Sequence, residues 1–245
     1  MSRCFFDFAG IYIEFGSVLR YNIIIEYMDV DIMNVIFDMD GVIFDSERAY
    51  IDAYIKLAPK YGLADVRQAC IESIGVTRDV TKQIFFRYHG GDFDFAAYRE
   101  DVQRELSSRS FDIKPGVFEL FDWLKSVGAK IALASSTRRI SVDRMLSDAG
   151  LTEYFDAIVC GDMVSRSKPH PEIFLKAAER IKADPGSCYV IEDSYNGIRA
   201  ARAAGTHPVM VPDIVQPDEE IRELAEIVLP SLFEVREYLE AVDQR

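Results

Sequence analysis

Long uncharged apolar runs are missing from this chain of 245 residues. Residues 1–32 are rich in Ile, Phe and Tyr, but Asp7, Glu14, Arg20, Glu26, Asp29 and Asp31 interrupt them. No stretch approaches the roughly 18 apolar residues that a membrane span needs. The same segment lacks the basic start, apolar run and small-residue cleavage site of a secretory signal. Basic charge is also in deficit, with 28 Lys and Arg against 41 Asp and Glu and a net charge of −13. A surface for nucleic acid or anionic lipid needs a basic patch, so neither partner is expected. Cysteine is sparse: Cys4, Cys70, Cys160 and Cys188 form no CxxC pair and no dense framework. That pattern excludes a zinc site and suits inert thiols in a reducing cytoplasm. The three histidines, His89, His170 and His207, do not group with a serine in the manner of a serine hydrolase.

What is present is a hydrophobic content of 49%, ample for a core. From Met33 onward, short apolar runs alternate with helical patterns. The runs at 34–37, 130–134, 157–159, 188–191 and 208–211 read as strands, with 227–229 a short last one. Helical periodicity covers 117–127, 139–149, 172–182 and 196–204, then 218–225 and 231–241. Such alternation predicts an α/β fold, a doubly wound parallel sheet covered on both faces. One block departs from it. Residues 46–110 carry only helical patterns, at about 47–61, 66–73, 78–88 and 94–107. The expected organisation is an α/β core of residues 33–45 and 111–245, with a helical cap of residues 46–110 inserted after the first strand. Pro115-Gly116 marks the return to the core. Ligands of open α/β sheets bind beyond the carboxyl ends of the strands, so such an insert is placed to close over a site. Residues 1–32 are expected to be an appendage or a mis-assigned start rather than part of the working domain.

The strand ends carry the chemistry. The first strand, Val35-Ile36-Phe37, runs into Asp38-Met39-Asp40-Gly41. Side chains at i and i+2 of an extended segment share a face, so two carboxylates enter one space. Such a pair holds a hard cation, receives a phosphoryl group or moves a proton; the plainer alternative is an acidic turn. The second strand ends in Ser135-Ser136-Thr137, donors suited to phosphate oxygens or to a simple helix N-cap. Lys168 follows the third strand, beside Pro169 and Pro171, as a candidate for a positioned cation. The fourth ends in Glu192-Asp193-Ser194, where paired acids suggest a metal site or a charge at a helix start.

Taken in order, these signals resemble the haloacid dehalogenase-like hydrolase superfamily, and within it the β-phosphoglucomutase-like branch, over residues 33 to about 240. The strings Asp40-Gly-Val-Ile-Phe-Asp-Ser-Glu47, Ala132-Leu-Ala-Ser-Ser136, Lys168-Pro-His-Pro-Glu-Ile-Phe174 and Ile191-Glu-Asp-Ser-Tyr-Asn-Gly-Ile198 carry the resemblance. It implies Asp38 as nucleophile, Asp40 as general acid and base, and Ser135, Ser136 and Lys168 as phosphate-binding residues. It further implies Mg2+ held by Asp38, the Asp40 carbonyl and Asp193, with Glu192 binding directly or through water. In the cap, Gly75-Val-Thr-Arg78 matches a substrate-contacting loop, which makes Thr77 and Arg78 substrate candidates, with Arg99 and Arg104 behind them.

The resemblance implies a phosphatase acting on a small phosphomonoester, a sugar phosphate by expectation, as a monomer. The alternatives are a sugar phosphomutase and a catalytically silent binding protein. Mutases of the branch carry a histidine near the cap entry where this chain has Tyr50, and no lysine stands at the matching place in the fourth cap helix. A tyrosine does not relay protons near neutral pH as a histidine does. The intact acids and Lys168 argue against a silent binder. Dehalogenation fits poorly because those relatives lack the second aspartate, and phosphonate cleavage would need a Schiff-base lysine for which Lys56 and Lys82 have no supporting context.

Overall fold

The computed structural model describes residues 33–106 and 109–244; the expectation for residues 1–32 lies outside these residues. Six parallel strands form one sheet in the order β3-β2-β1-β4-β5-β6. They are β1 (Asn34–Phe37), β2 (Lys130–Ser135), β3 (Ala157–Cys160), β4 (Cys188–Glu192), β5 (His207–Met210) and β6 (Ile227–Val228). The expected doubly wound sheet is what the chain forms, each strand within a residue or two of its sequence reading.

Alternation along the strands assigns the two faces. Val35, Phe37, Ile131 and Leu133 join a buried cluster with Leu120, Phe121 and Leu124 of α5 (Val117–Ser126) and Val235 and Leu239 of α10 (Leu232–Asp243). Ile36, Ala132, Ala134 and Val190 point the other way, onto Ile173, Phe174 and Ala177 of α7 (Glu172–Ile181) and Ala200 and Ala201 of α8 (Tyr195–Ala203). Small side chains on this second face let α7 and α8 approach the sheet closely. Each large apolar side chain fully buried here contributes about 1.5–3 kcal/mol. Two further helices, α6 (Arg139–Asp148) and α9 (Glu219–Leu224), complete the layers.

The register aligns the strand ends. Phe37 pairs with Leu133 of β2 and with Ile191 of β4. Asp38 is therefore level with Ala134 and Glu192 at the carboxyl edge, and Ser135 stands one residue further along β2.

Between β1 and α5 lie α1 (Glu47–Leu57), α2 (Arg67–Glu72), α3 (Arg78–His89) and α4 (Phe95–Leu106). They bury their own cluster, including Ile51, Tyr54, Phe85, Phe95, Tyr98 and Val102. The helical pattern read at 47–61 is interrupted. The α-helix stops at Leu57 and a 3-10 turn covers Ala58–Tyr61. Pro59 explains this, because it has no N–H to continue the ladder. The segments that enter and leave this layer run side by side. The Asp45 N–H donates to the Asp112 carbonyl at 2.9 Å, and the Lys114 N–H to the Ile43 carbonyl at 2.8 Å.

Candidate active site

Asp38 leaves β1 with its N–H donating to the Ile191 carbonyl at 3.0 Å, which fixes its backbone to β4. Its side chain is buried and accepts from Lys168 Nζ at 2.5 Å. Lys168 is 1% exposed. Its ammonium also donates to Glu192 Oε1 at 2.6 Å and to the Ala134 carbonyl at 3.3 Å, and sits 4.8 Å from the centre of the Phe174 ring. Burial works against the lysine's charge, but the two carboxylates outweigh it and raise its pKa. Asp38 is pushed up to about 7, first by burial, with Lys168 pulling in the opposite direction.

Glu192 and Asp193 are neighbours with contrasting surroundings. The second oxygen of Glu192 accepts from the N–H groups of Asp193 and Ser194, both at 2.8 Å, and from Ser194 Oγ at 2.9 Å. With Lys168 on the first oxygen, the carboxylate is committed to the protein. The start of α8 supplies the donors that hold it there. Asp193 is also buried, but its Oδ2 has no hydrogen-bond partner among the described residues. Its carboxyl is held well above the usual range by burial, then by Glu192, Glu47, Asp38 and Asp213. At Gly41, with φ +82°, a Cβ would run into this carboxylate. The space that a side chain would fill is where Asp193 meets the Asp40-Gly41 backbone.

Asp40 is held separately. Ser46 Oγ donates to Oδ1 at 2.6 Å and Thr137 Oγ1 to Oδ2 at 2.9 Å. Ser46 stands at the N-cap of α1 without a side-chain capping bond, its hydroxyl being turned to Asp40 instead. Burial raises the Asp40 pKa, and these two hydroxyls moderate the rise. Ser135 is fully buried and its Oγ accepts from the Thr137 N–H at 3.0 Å, leaving the hydroxyl proton as a donor. Ser136 Oγ donates to the Gly75 carbonyl at 2.8 Å, a contact between sheet edge and helical layer. The Thr77 N–H donates to Ser167 Oγ at 2.7 Å, a second such contact.

A cavity of about 90 Å3 lies above these groups, with Asp38, Asp40, Ser136 and Thr137 on one side and Glu47, Tyr50, Arg99 and Gln103 on the other. Next to it is an open groove of about 1000 Å3, reached by Thr77, Arg78, Arg99, Arg138, Arg166 and Lys168. Arg99 Nη1 donates to the Tyr54 hydroxyl at 3.0 Å. Arg104 instead points out, 72% exposed and paired with Asp101. The Tyr50 ring stacks on Phe111 at 6.0 Å, and burial, then Asp40, raise the pKa of its hydroxyl. His170 Nδ1 accepts from the Glu172 N–H at 3.2 Å, a local bond at the start of α7.

The structure thus brings Asp38, Asp40, Ser135, Ser136, Lys168, Glu192 and Asp193 to one edge, with Thr77 and Arg78 on the adjoining groove. Sequence reasoning gave no role to Ser46 or Glu47, and read Thr137 as a phosphate donor or N-cap rather than as a partner of Asp40.

The profile for haloacid dehalogenase-like hydrolases matches residues 35–211. This chain belongs to that family. A phosphorylated carbohydrates phosphatase of Thermotoga maritima is 35% identical over 174 residues, covering 70% of this chain and 81% of the relative. The fructose-1-phosphate phosphatase of Escherichia coli is 34% identical over 180 residues, covering 72% and 95%. The crystal structure of β-phosphoglucomutase from Clostridium difficile superposes with a TM-score of 0.74 at 29% identity, covering 87% of this chain and 97% of that one. As a haloacid dehalogenase-like hydrolase the chain is an enzyme of a group that includes sugar phosphate phosphatases and phosphomutases. No helix of the described residues is long and apolar enough to cross a membrane.

Proposed function

We propose that this haloacid dehalogenase-like enzyme is a Mg2+-dependent phosphatase of a small phosphomonoester, a sugar phosphate by class. The observation that carries the reading is the division of labour between two aspartates: Asp38 buried against Lys168, and Asp40 held apart by Ser46 and Thr137. An Asp38 oxygen attacks phosphorus as the bond to the sugar oxygen breaks. Asp40, whose raised pKa favours the protonated form, gives its proton to that leaving oxygen. The sugar departs and leaves an aspartyl-phosphate on Asp38. Asp40 then takes a proton from a water that attacks the phosphorus, breaking the bond to Asp38 and releasing inorganic phosphate. Lys168 and Ser135 hold the transferring oxygens, where charge spreads in the transition state.

The residues fit a divalent cation. Among the described residues no three His, Cys, Asp or Glu side chains gather as a metal cage. Mg2+ instead suits one or two carboxylates completed by phosphate and water. Asp38, the Asp40 carbonyl and the orphaned Asp193 oxygen would hold it. When bound, it would offset the repulsion between Asp38 and an anionic substrate. Glu192 takes the role of positioning Lys168 rather than that of a ligand. On the groove, Arg78, with Thr77 beside it, would meet a further anionic group or a hydroxyl of the substrate.

Two named relatives act on phosphorylated carbohydrates, which supports the substrate class. The mutase alternative is weakened by Tyr50, stacked and with a raised pKa where a proton relay would be needed. The reading includes a monomer, and a cytoplasmic location with which the buried free thiols Cys70, Cys160 and Cys188 agree. The test is phosphate release from a panel of sugar phosphates with Mg2+ and with EDTA, beside an assay for conversion of β-glucose 1-phosphate to glucose 6-phosphate. Metal-dependent release without isomerisation is expected. Isomerisation with little release would replace the phosphatase with the mutase.

A further inference from the structure

One buried acid has no part in the chemistry described above. Asp213 lies in the loop after β5, with its side chain only 7% exposed. Its Oδ1 accepts from Lys114 Nζ at 2.8 Å, and Arg48 Nη2 stands 3.9 Å from the same oxygen. Its Oδ2 has no hydrogen-bond partner among the described residues. An orphaned carboxylate oxygen is costly to bury, and proteins rarely leave one without a donor or an ion.

Its surroundings indicate what the donor is. Met210 of β5 pairs with Glu192 of β4, and the Val211 N–H donates to the Glu192 carbonyl at 2.8 Å, so the loop carrying Asp213 leaves the carboxyl edge beside Asp193. Asp193 carries the other orphaned carboxylate oxygen. Two buried acids leaving the same carboxyl edge, each with an oxygen lacking a donor among the described residues, suit a hydrated cation: one oxygen binds the ion and the other accepts from its water. A Mg2+ site keeps several waters, and their outer acceptors orient them.

The opposite side of Asp213 reaches the hinge. Lys114 belongs to the segment returning from the helical layer, and its N–H donates to Ile43 of the outgoing segment. Arg48 is in the first turn of α1. Ile214 and Val215, which follow Asp213, pack against the cluster of the helical layer.

We propose that Asp213 is a positioning residue with two attachments: Oδ2 accepts from a water of the Mg2+ held by Asp38 and Asp193, and Oδ1 fixes Lys114 in the hinge, so that cation binding steadies the cap. The inference rests on the metal site of the proposed function. Its test is Mg2+ binding to the substrate-free full chain by titration calorimetry, with Asp213→Asn, Lys114→Met, Asp193→Asn and the double variant Asp213→Leu/Lys114→Met. Hydrogen exchange at the Asp45 and Lys114 amides is followed in parallel. Asp213→Asn is expected to weaken Mg2+ about 10-fold or more. Mg2+ should slow hinge exchange in the parent chain and leave it unchanged in that variant.

Lys114→Met discriminates further. A mere field effect predicts tighter Mg2+ binding once a positive charge is removed; positioning predicts weaker binding, because Asp213 loses its anchor. The double variant leaves neither partner buried alone, so it keeps the test valid if a single variant does not fold, and it too should weaken Mg2+. Parent-like affinity in Asp213→Asn or in the double variant, or tighter binding in Lys114→Met, overturns the inference alone. No binding by the parent, or unchanged binding by Asp193→Asn, overturns the metal site and the inference together.

Discussion

On the core side of the cavity, Asp38, Lys168 and Glu192 grip one another at 2.5 and 2.6 Å, and Glu192 takes three more bonds from the start of α8. On the side of the helical layer, the proposed cap, Glu47 and Arg99 reach the cavity from helices, with Arg99 leaning on one tyrosine hydroxyl. The core wall is a closed network at strand ends, in which no member can move without exposing another buried charge. The cap wall consists of long side chains on the surface of a separate cluster. A site built in this way keeps its reaction constant and leaves recognition free to change.

The comparison is broken most severely at Asp38, the proposed nucleophile. Asp38→Asn should lower kcat by about 10^4-fold or more while the far-ultraviolet dichroism stays that of the parent; substantial residual turnover would remove Asp38 from its role. Asp40→Asn should cost about 10^2–10^4-fold in kcat, least for substrates with good leaving groups, which need no proton. Equal losses across a leaving-group series would contradict the acid assignment. Lys168→Met leaves two buried carboxylates without their cation and should destabilise the metal-free fold by about 3–5 kcal/mol in urea titrations. On the cap wall, Arg99→Ala should act mainly on KM, by about 10-fold, with little change in stability. A large fall in kcat with KM unchanged would move Arg99 into the reacting machinery.

A further contrast is in pH dependence. Below 3.8 Asp38 is protonated in folded and unfolded chains alike, so it takes nothing from stability. Between 3.8 and about 7 the unfolded chain has released a proton that the fold retains, so stability falls as pH rises; above about 7 the loss is complete. In EDTA, the parent should therefore lose more stability across that window than Asp38→Asn. Identical slopes would show that Asp38 does not carry the burden.

Most of the architecture was legible because β-strands ending in acids, hydroxyls or lysine alternate with capped helices, and each of those signals is local. Asp38, Asp40, Ser135 and Asp193 could be picked out as candidates because they stand at or just past the ends of apolar runs, and Lys168 because prolines follow it in its loop. Ser46 and Thr137 could not be read as the partners of Asp40, since which hydroxyl turns to which carboxylate depends on the meeting of two strand ends and a hinge. Glu192 looked like half of an acidic pair. Only the three-dimensional arrangement, with Lys168 on one oxygen and the start of α8 on the other, separates it from Asp193. Arg99 and Arg104 are alike in sequence, but one faces the cavity and the other solvent because five residues along a helix turn the side chain to another face.

Gly197 lies in the first turn of α8, where a Cβ would run into the Glu192 carboxylate. The informative atom at this position is one that is missing, so no search for functional groups would find it. A side chain there would push on Glu192, and through it on Lys168 and Asp38, while the sheet and its helices kept their cores. A lineage drifting at residue 197 would lose its chemistry before it lost its shape, and its descendants would inherit a well-folded, inert protein.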